Sequence, residues 1–143
     1  MTALVLPPTT EGVPAARRFV RDLVSDSETS ADVDTVTLLV SEVVTNALLH
    51  GRPPRTVRVE VGPEVVRVEV ADGSAVLPRL HGFSATAATG RGLRLLNSLA
   101  LRWGADLVTG QGKVVWFEVG PGEADAWEAT AEDWLSELAG GDA

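Results

Sequence analysis

The chain has 143 residues, 45% of them hydrophobic, which is enough for one domain with a buried core. It has no cysteine, which excludes disulfides, thiolate catalysis and structural zinc. The net charge of −8 belongs to the tail: residues 121–143 carry Glu123, Asp125, Glu128, Glu132, Asp133, Glu137 and Asp142 without a Lys or Arg, so residues 1–120 are nearly neutral and offer no basic face for nucleic acid.

The N-terminus, Met1-Thr2-Ala3-Leu4, lacks the basic and long apolar regions of a signal peptide. No apolar run approaches the roughly 18 residues of a membrane span. The expectation is a cytoplasmic protein without a membrane partner. Leu4-Val5-Leu6, stopped by Pro7-Pro8, reads as a short edge strand. From Glu11 to Ser25, Val13, Ala16, Phe19, Val20, Leu23 and Val24 recur at helical spacing, with Pro14 tolerated in the first turn.

Residues 31–50 read as a second helix, capped by Ser30 or Asp32 and ended by Gly51. Val33, Val36, Val40, Val43, Val44 and Ala47 form its core stripe. Glu42, Asn46 and His50 lie one above another on its shoulder. A carboxylate and an amide beside a buried stripe are costly unless they bind something. On one helical line they suit a hydrated divalent cation and, through it, a phosphate.

Val57, Val59, Val61 and then Val66, Val68, Val70 alternate with polar residues around Gly62-Pro63-Glu64, which predicts an antiparallel hairpin with one wet face. Asp72-Gly73-Ser74 follows. An aspartate just past a buried strand can accept a hydrogen bond from an exocyclic amine, although Asp-Gly is also a common turn pair. Residues 72–91 show no regular period, and a stretch of that length is usually functional or mobile. Thr89-Gly90-Arg91-Gly92-Leu93 then opens a helix that continues through Leu95, Leu96 and Leu99. Glycines at such a place expose backbone amides to an anion. Ala105–Thr109 and Lys113–Val119 read as a second strand pair. In the tail, Trp127, Ala131, Trp134 and Leu138 stand at helical spacing opposite an acidic face. They suit packing on the domain itself or docking to a partner.

In this order the motifs resemble the GHKL ATPase superfamily, and within it the small bacterial anti-sigma factor serine/threonine kinases. The resemblance covers about residues 5–119. Its N box matches Glu42-Val43-Val44-Thr45-Asn46-Ala47-Leu48-Leu49-His50-Gly51. Its glycine boxes match Asp72-Gly73-Ser74 and Gly90-Arg91-Gly92-Leu93. The turn Arg102-Trp103-Gly104 and the strand Val114-Val115-Trp116-Phe117-Glu118 are similar to those of its small members.

The resemblance implies an α+β fold, a two-layer α/β sandwich with a mixed, mostly antiparallel sheet and its helices on one face. The ATP-binding domain would span 1–120, followed by an acidic helical tail over 121–143. ATP and Mg2+ would be the cofactors. Asn46 would hold the metal, and Asp72, with Ser74 beside it, would bind the adenine amine. Gly90, Arg91, Gly92 and Leu93 would cradle phosphates. Glu42 would be the catalytic base toward a Ser or Thr of an anti-anti-sigma-like regulatory protein. A sigma factor is a second expected partner, and a homodimer a further one. The first glycine box departs from Asp-x-Gly-x-Gly, since Ser74, Ala75 and Val76 follow Gly73. That departure, with a short loop over 75–91, motivates the alternative of a nucleotide-gated interaction module without significant kinase activity. A detached histidine-kinase catalytic domain fits less well, because only His50 and His81 are present.

Overall fold

The computed structural model describes residues 1–75, 87–110 and 112–121, with 87–91 described by their backbone alone. The acidic tail lies outside the described residues, as does most of the 75–91 loop. Strand β1 (Thr2–Val5) leads to helices α1 (Gly12–Ser25) and α2 (Val33–His50). Strands β2 (Thr56–Val61) and β3 (Val66–Asp72) follow, then helix α3 (Ala87–Leu99) and strands β4 (Arg102–Val108) and β5 (Gly112–Val119).

The strands form one sheet in the order β1-β2-β3-β5-β4, and all four ladders are antiparallel. The sheet is thus antiparallel throughout, where a mostly antiparallel mixture was expected. The alternation of valines decides which side is covered. Val57, Val59, Val66, Val68, Val70, Val115, Phe117 and Val119 are buried on one face, beneath α1, α2 and α3. Helix α1 buries Ala16, Val20 and Val24 at four-residue spacing, and α2 buries Val36, Leu39, Val40, Val43, Val44 and Ala47.

The other face is polar and self-paired. Glu118, 9% exposed, accepts from Arg102 (2.6 and 3.0 Å) and from Arg67 (3.0 Å), and Arg67 lies 4.2 Å from the Trp116 ring centroid. Hydrogen bonding from Arg102, opposed by burial and reinforced by Arg67, holds the Glu118 carboxyl below the usual carboxylate range.

Two boundaries differ from the sequence reading. Arg102-Trp103-Gly104, expected as a turn, is the first half of β4, paired with Glu118, Phe117 and Trp116. Its polar and glycine residues face the charged side, so no apolar alternation marks it. Helix α3 begins at Ala87, not at the Gly90-Arg91-Gly92 motif. Ala87 and Ala88 are strong helix formers, and they outweigh the two glycines.

Candidate functional site

The site lies where the C-terminal half of α2 meets the ends of β3 and β5 and the first turns of α3. Helix α2 is well anchored there. At its start, Asp32 Oδ1 accepts from the Asp34 amide at 3.1 Å, a side-chain N-cap. At its end, the buried Arg55 guanidinium donates to the carbonyls of Ala47 (2.8 Å) and Gly51 (3.4 Å). A cation on the last carbonyls is favoured by the helix dipole. The sequence reading did not single out Arg55. Its adjacency to Pro53-Pro54 masks it as a loop residue.

Glu42 is 9% exposed and sits one turn before Asn46. His50, the last residue of α2, is exposed. Asn46 faces α3, and a Cβ built on Gly92 would stand 2.7 Å from Asn46 Nδ2. The N box and the second glycine box are therefore in contact, and only glycine at 92 leaves room for the amide where it stands.

Asp72 ends β3 with its carboxylate buried, 3% exposed. Its Oδ1 accepts from the Ser74 amide at 2.7 Å, and Ser74 is itself buried. The Gly73 amide donates to the Arg52 carbonyl at 2.7 Å, which ties this strand end to the segment after α2. Gly51 fits directly against the carboxylate, since a Cβ there would meet Asp72 Cγ at 2.6 Å. Gly112 holds φ +98, and a Cβ on it would collide with the Asp72 carbonyl oxygen.

One neighbour of Asp72 was not anticipated. Lys113 pairs with it across the β3–β5 ladder, and its Nζ lies 3.3 Å from Asp72 Oδ2. Both side chains are buried, 8% and 2% exposed respectively. The signal was present in the sequence: Lys113 is in phase with Val115, Phe117 and Val119, the buried face of β5.

The second glycine box departs from its expected setting. Counting from Ala87, Gly90 is in the opening turn, whose amides have no partner within a helix. Arg91, Gly92 and Leu93 lie beyond that turn, where helical amides bond back to the carbonyls four residues earlier. Leu93 is also a core residue, 2% exposed. A phosphate held by their amides needs those helical bonds released. A groove lined by Pro53, Thr56, Arg58, Ala71, Leu107 and Gly110 also borders Asp72.

The donor set can be tested against the groups that the resemblance implies. Magnesium binds one or two protein oxygens and keeps waters and substrate phosphates as its other ligands. Asn46 supplies one hard oxygen on the helix line it shares with Glu42 and His50, which fits that pattern. Among the described residues no group of three or more His, Asp or Glu could hold a metal by protein ligands alone. Asp72 fits an amine donor. Along α2, Glu42 and Gly51 are nine residues apart, about 14 Å. That suits an extended nucleoside triphosphate with its base at Asp72 and its terminal phosphate toward Glu42.

A family model described as the histidine kinase-like ATPase domain matches residues 6–119. No curated protein matches the sequence. Among solved structures, the histidine kinase domain of the Erythrobacter litoralis EL346 blue-light activated histidine kinase is similar at 22% identity and a TM-score of 0.49. The match covers 76% of this chain and 58% of that one, so the chain spans less than two thirds of that domain's length. Among the described residues no helix is long and apolar enough to cross a membrane.

Proposed function

The chain belongs to the histidine kinase-like ATPase family, an ATP-binding GHKL domain, and on that premise we propose that it is a serine/threonine protein kinase of the anti-sigma factor type. The observation that carries this reading is the retained, buried Glu42 one turn from Asn46 on the helix that lines the site. A domain that only binds nucleotide has no need of a base at that position.

In this reading Asp72 accepts from the adenine amine. The oxygen of Asn46 would hold Mg2+, which would supply charge neutralisation to the transfer. Glu42 takes the proton from a Ser or Thr hydroxyl of the partner as that oxygen bonds to the γ-phosphorus. The bond between the γ-phosphorus and the β–γ bridging oxygen breaks, and ADP leaves. Phosphoryl transfer asks the protein mainly for positioning, charge and one proton acceptor. The partner is an anti-anti-sigma-like regulatory protein, with sequestration of a sigma factor as a companion role.

The alternative reading is a nucleotide-gated interaction module. Its motive is α3: seating phosphates on the amides of Arg91 to Leu93 rearranges the first turns of that helix, which gives nucleotide binding a conformational consequence without any chemistry. Phosphotransfer separates the two. With Mg-ATP labelled at the γ-phosphate, and the anti-anti-sigma-like proteins of its own organism as acceptors, wild type forms acid-stable phosphoserine or phosphothreonine. Glu42→Ala binds ATP but transfers nothing. Transfer unchanged in Glu42→Ala excludes the kinase assignment of that residue. Absence of transfer to every acceptor favours the gated module.

A further inference from the structure

We infer that Lys113 is a base-recognition residue, which together with Asp72 reads the amine and N1 edge of adenine. The inference rests on the nucleotide site proposed above and extends it to a residue outside the resemblance motifs.

Lys113 is the chain's one lysine. It stands on the apolar face of β5, where the alternation Val115, Phe117, Val119 would continue more cheaply with a valine or threonine. A buried ion pair gains little for stability unless its remaining donors and acceptors are satisfied. Asp72 Oδ1 holds the Ser74 amide, and Oδ2 faces the ammonium at 3.3 Å. Each carboxylate oxygen has a second acceptor site, and an ammonium has three donors. The pair can therefore offer an incoming ring one acceptor and one donor side by side.

Adenine has the complementary edge, with an exocyclic N–H donor at C6 beside the N1 acceptor. With the amine at Asp72, N1 falls to Lys113. Guanine in the same pose is wrong at both points. Its O6 faces the carboxylate and its N1–H faces the ammonium. A site that leaves its own buried polar groups unpaired discriminates strongly. Leu107 pairs with Lys113 across the β4–β5 ladder, lies on the same side of the sheet and is 54% exposed. It offers apolar surface beside the pair for the flat face of the base.

The test is calorimetric titration of wild type and Lys113→Met with Mg-ATP, Mg-GTP and Mg-1-deaza-ATP, in which a C–H replaces N1 and the amine is kept. Wild type is expected to bind ATP roughly tenfold to a hundredfold more tightly than 1-deaza-ATP, the range of one hydrogen bond to a charged group. Lys113→Met is expected to bind the two alike. Equal wild-type affinity for ATP and 1-deaza-ATP overturns the role of Lys113 and leaves the nucleotide site standing. Failure of folded wild type to bind ATP overturns both. Should Lys113→Met not fold, Lys113→Leu takes its place in the same comparison, and a preference for ATP kept in the folded variant overturns the role of Lys113.

Discussion

Asn46 and Gly92 touch: the α2 amide lies where any side chain at position 92 would begin. This contact joins two motifs through residues 46 positions apart in sequence and gives the glycine a steric reason in place of a conformational one. Gly92→Ala should displace the Asn46 side chain, whose amide end can swing away. The gain in helix propensity, about 1 kcal/mol, offsets the local crowding. The expected result is a folded protein, within about 1 kcal/mol of wild type by urea unfolding, with Mg-ATP affinity reduced at least tenfold. Unchanged affinity would show that Asn46 does not act from its present position.

Arg55 anchors the end of α2 against which Asp72 is packed. Arg55→Met keeps the aliphatic stem and removes two hydrogen bonds to carbonyls of Ala47 and Gly51. A hydrogen bond to a charged group contributes about 1.5–3 kcal/mol, and the Ala47 carbonyl keeps the Gly51 amide as a partner. A destabilisation of about 2–3 kcal/mol is expected, read as a lower midpoint in urea with an unchanged slope.

The Asp72–Lys113 pair predicts a characteristic coupling. Asp72→Asn leaves the ammonium buried without its counter-ion, a loss of about 3–5 kcal/mol. Adding Lys113→Met to Asp72→Asn should recover part of that loss, since the stranded charge is then gone. Additive effects in the double-mutant cycle would mean that the two groups do not interact.

Glu118 sets a pH dependence on the opposite face. Its folded-state carboxyl titrates below the unfolded value near 4.5, so the folded protein binds fewer protons there and stability rises with pH. The contribution is complete above the unfolded value and is lost as pH falls through the depressed folded value. Glu118→Gln should be less stable than wild type at pH 7, by about 1 kcal/mol given the exposure of Arg102. The difference should shrink below pH 4.5. A constant difference across that range would contradict the ion-pair assignment.

Much of the fold was legible because its patterns are local. The valines of β2 and β3 alternate, and those of α2 repeat at helical spacing, so both elements and their buried faces follow from the sequence. The order of motifs pointed to Glu42, Asn46 and Asp72. What escaped depends on tertiary pairing. Lys113 acquires its meaning only because β5 inserts between β3 and β4, which brings a residue 41 positions away beside Asp72. Arg55 reads as a loop residue until the fold brings the Ala47 and Gly51 carbonyls at the end of α2 within reach of its guanidinium. The start of β4 at Arg102 carries no apolar alternation, because Arg102 and Gly104 lie on the open face opposite Glu118 and Trp116. The glycines of the second box suggested a helix entrance, and α3 instead runs through them.

The central claim is an adenine nucleotide site between α2 and the ends of β3 and β5. Its most direct test is calorimetric titration of wild type and Asp72→Asn with ATP and GTP in the presence of Mg2+, at a temperature where circular dichroism shows both proteins folded. Binding of ATP but not GTP by wild type, lost in Asp72→Asn, is the expected result. No binding of ATP by wild type, or equal binding by the folded variant, would contradict it.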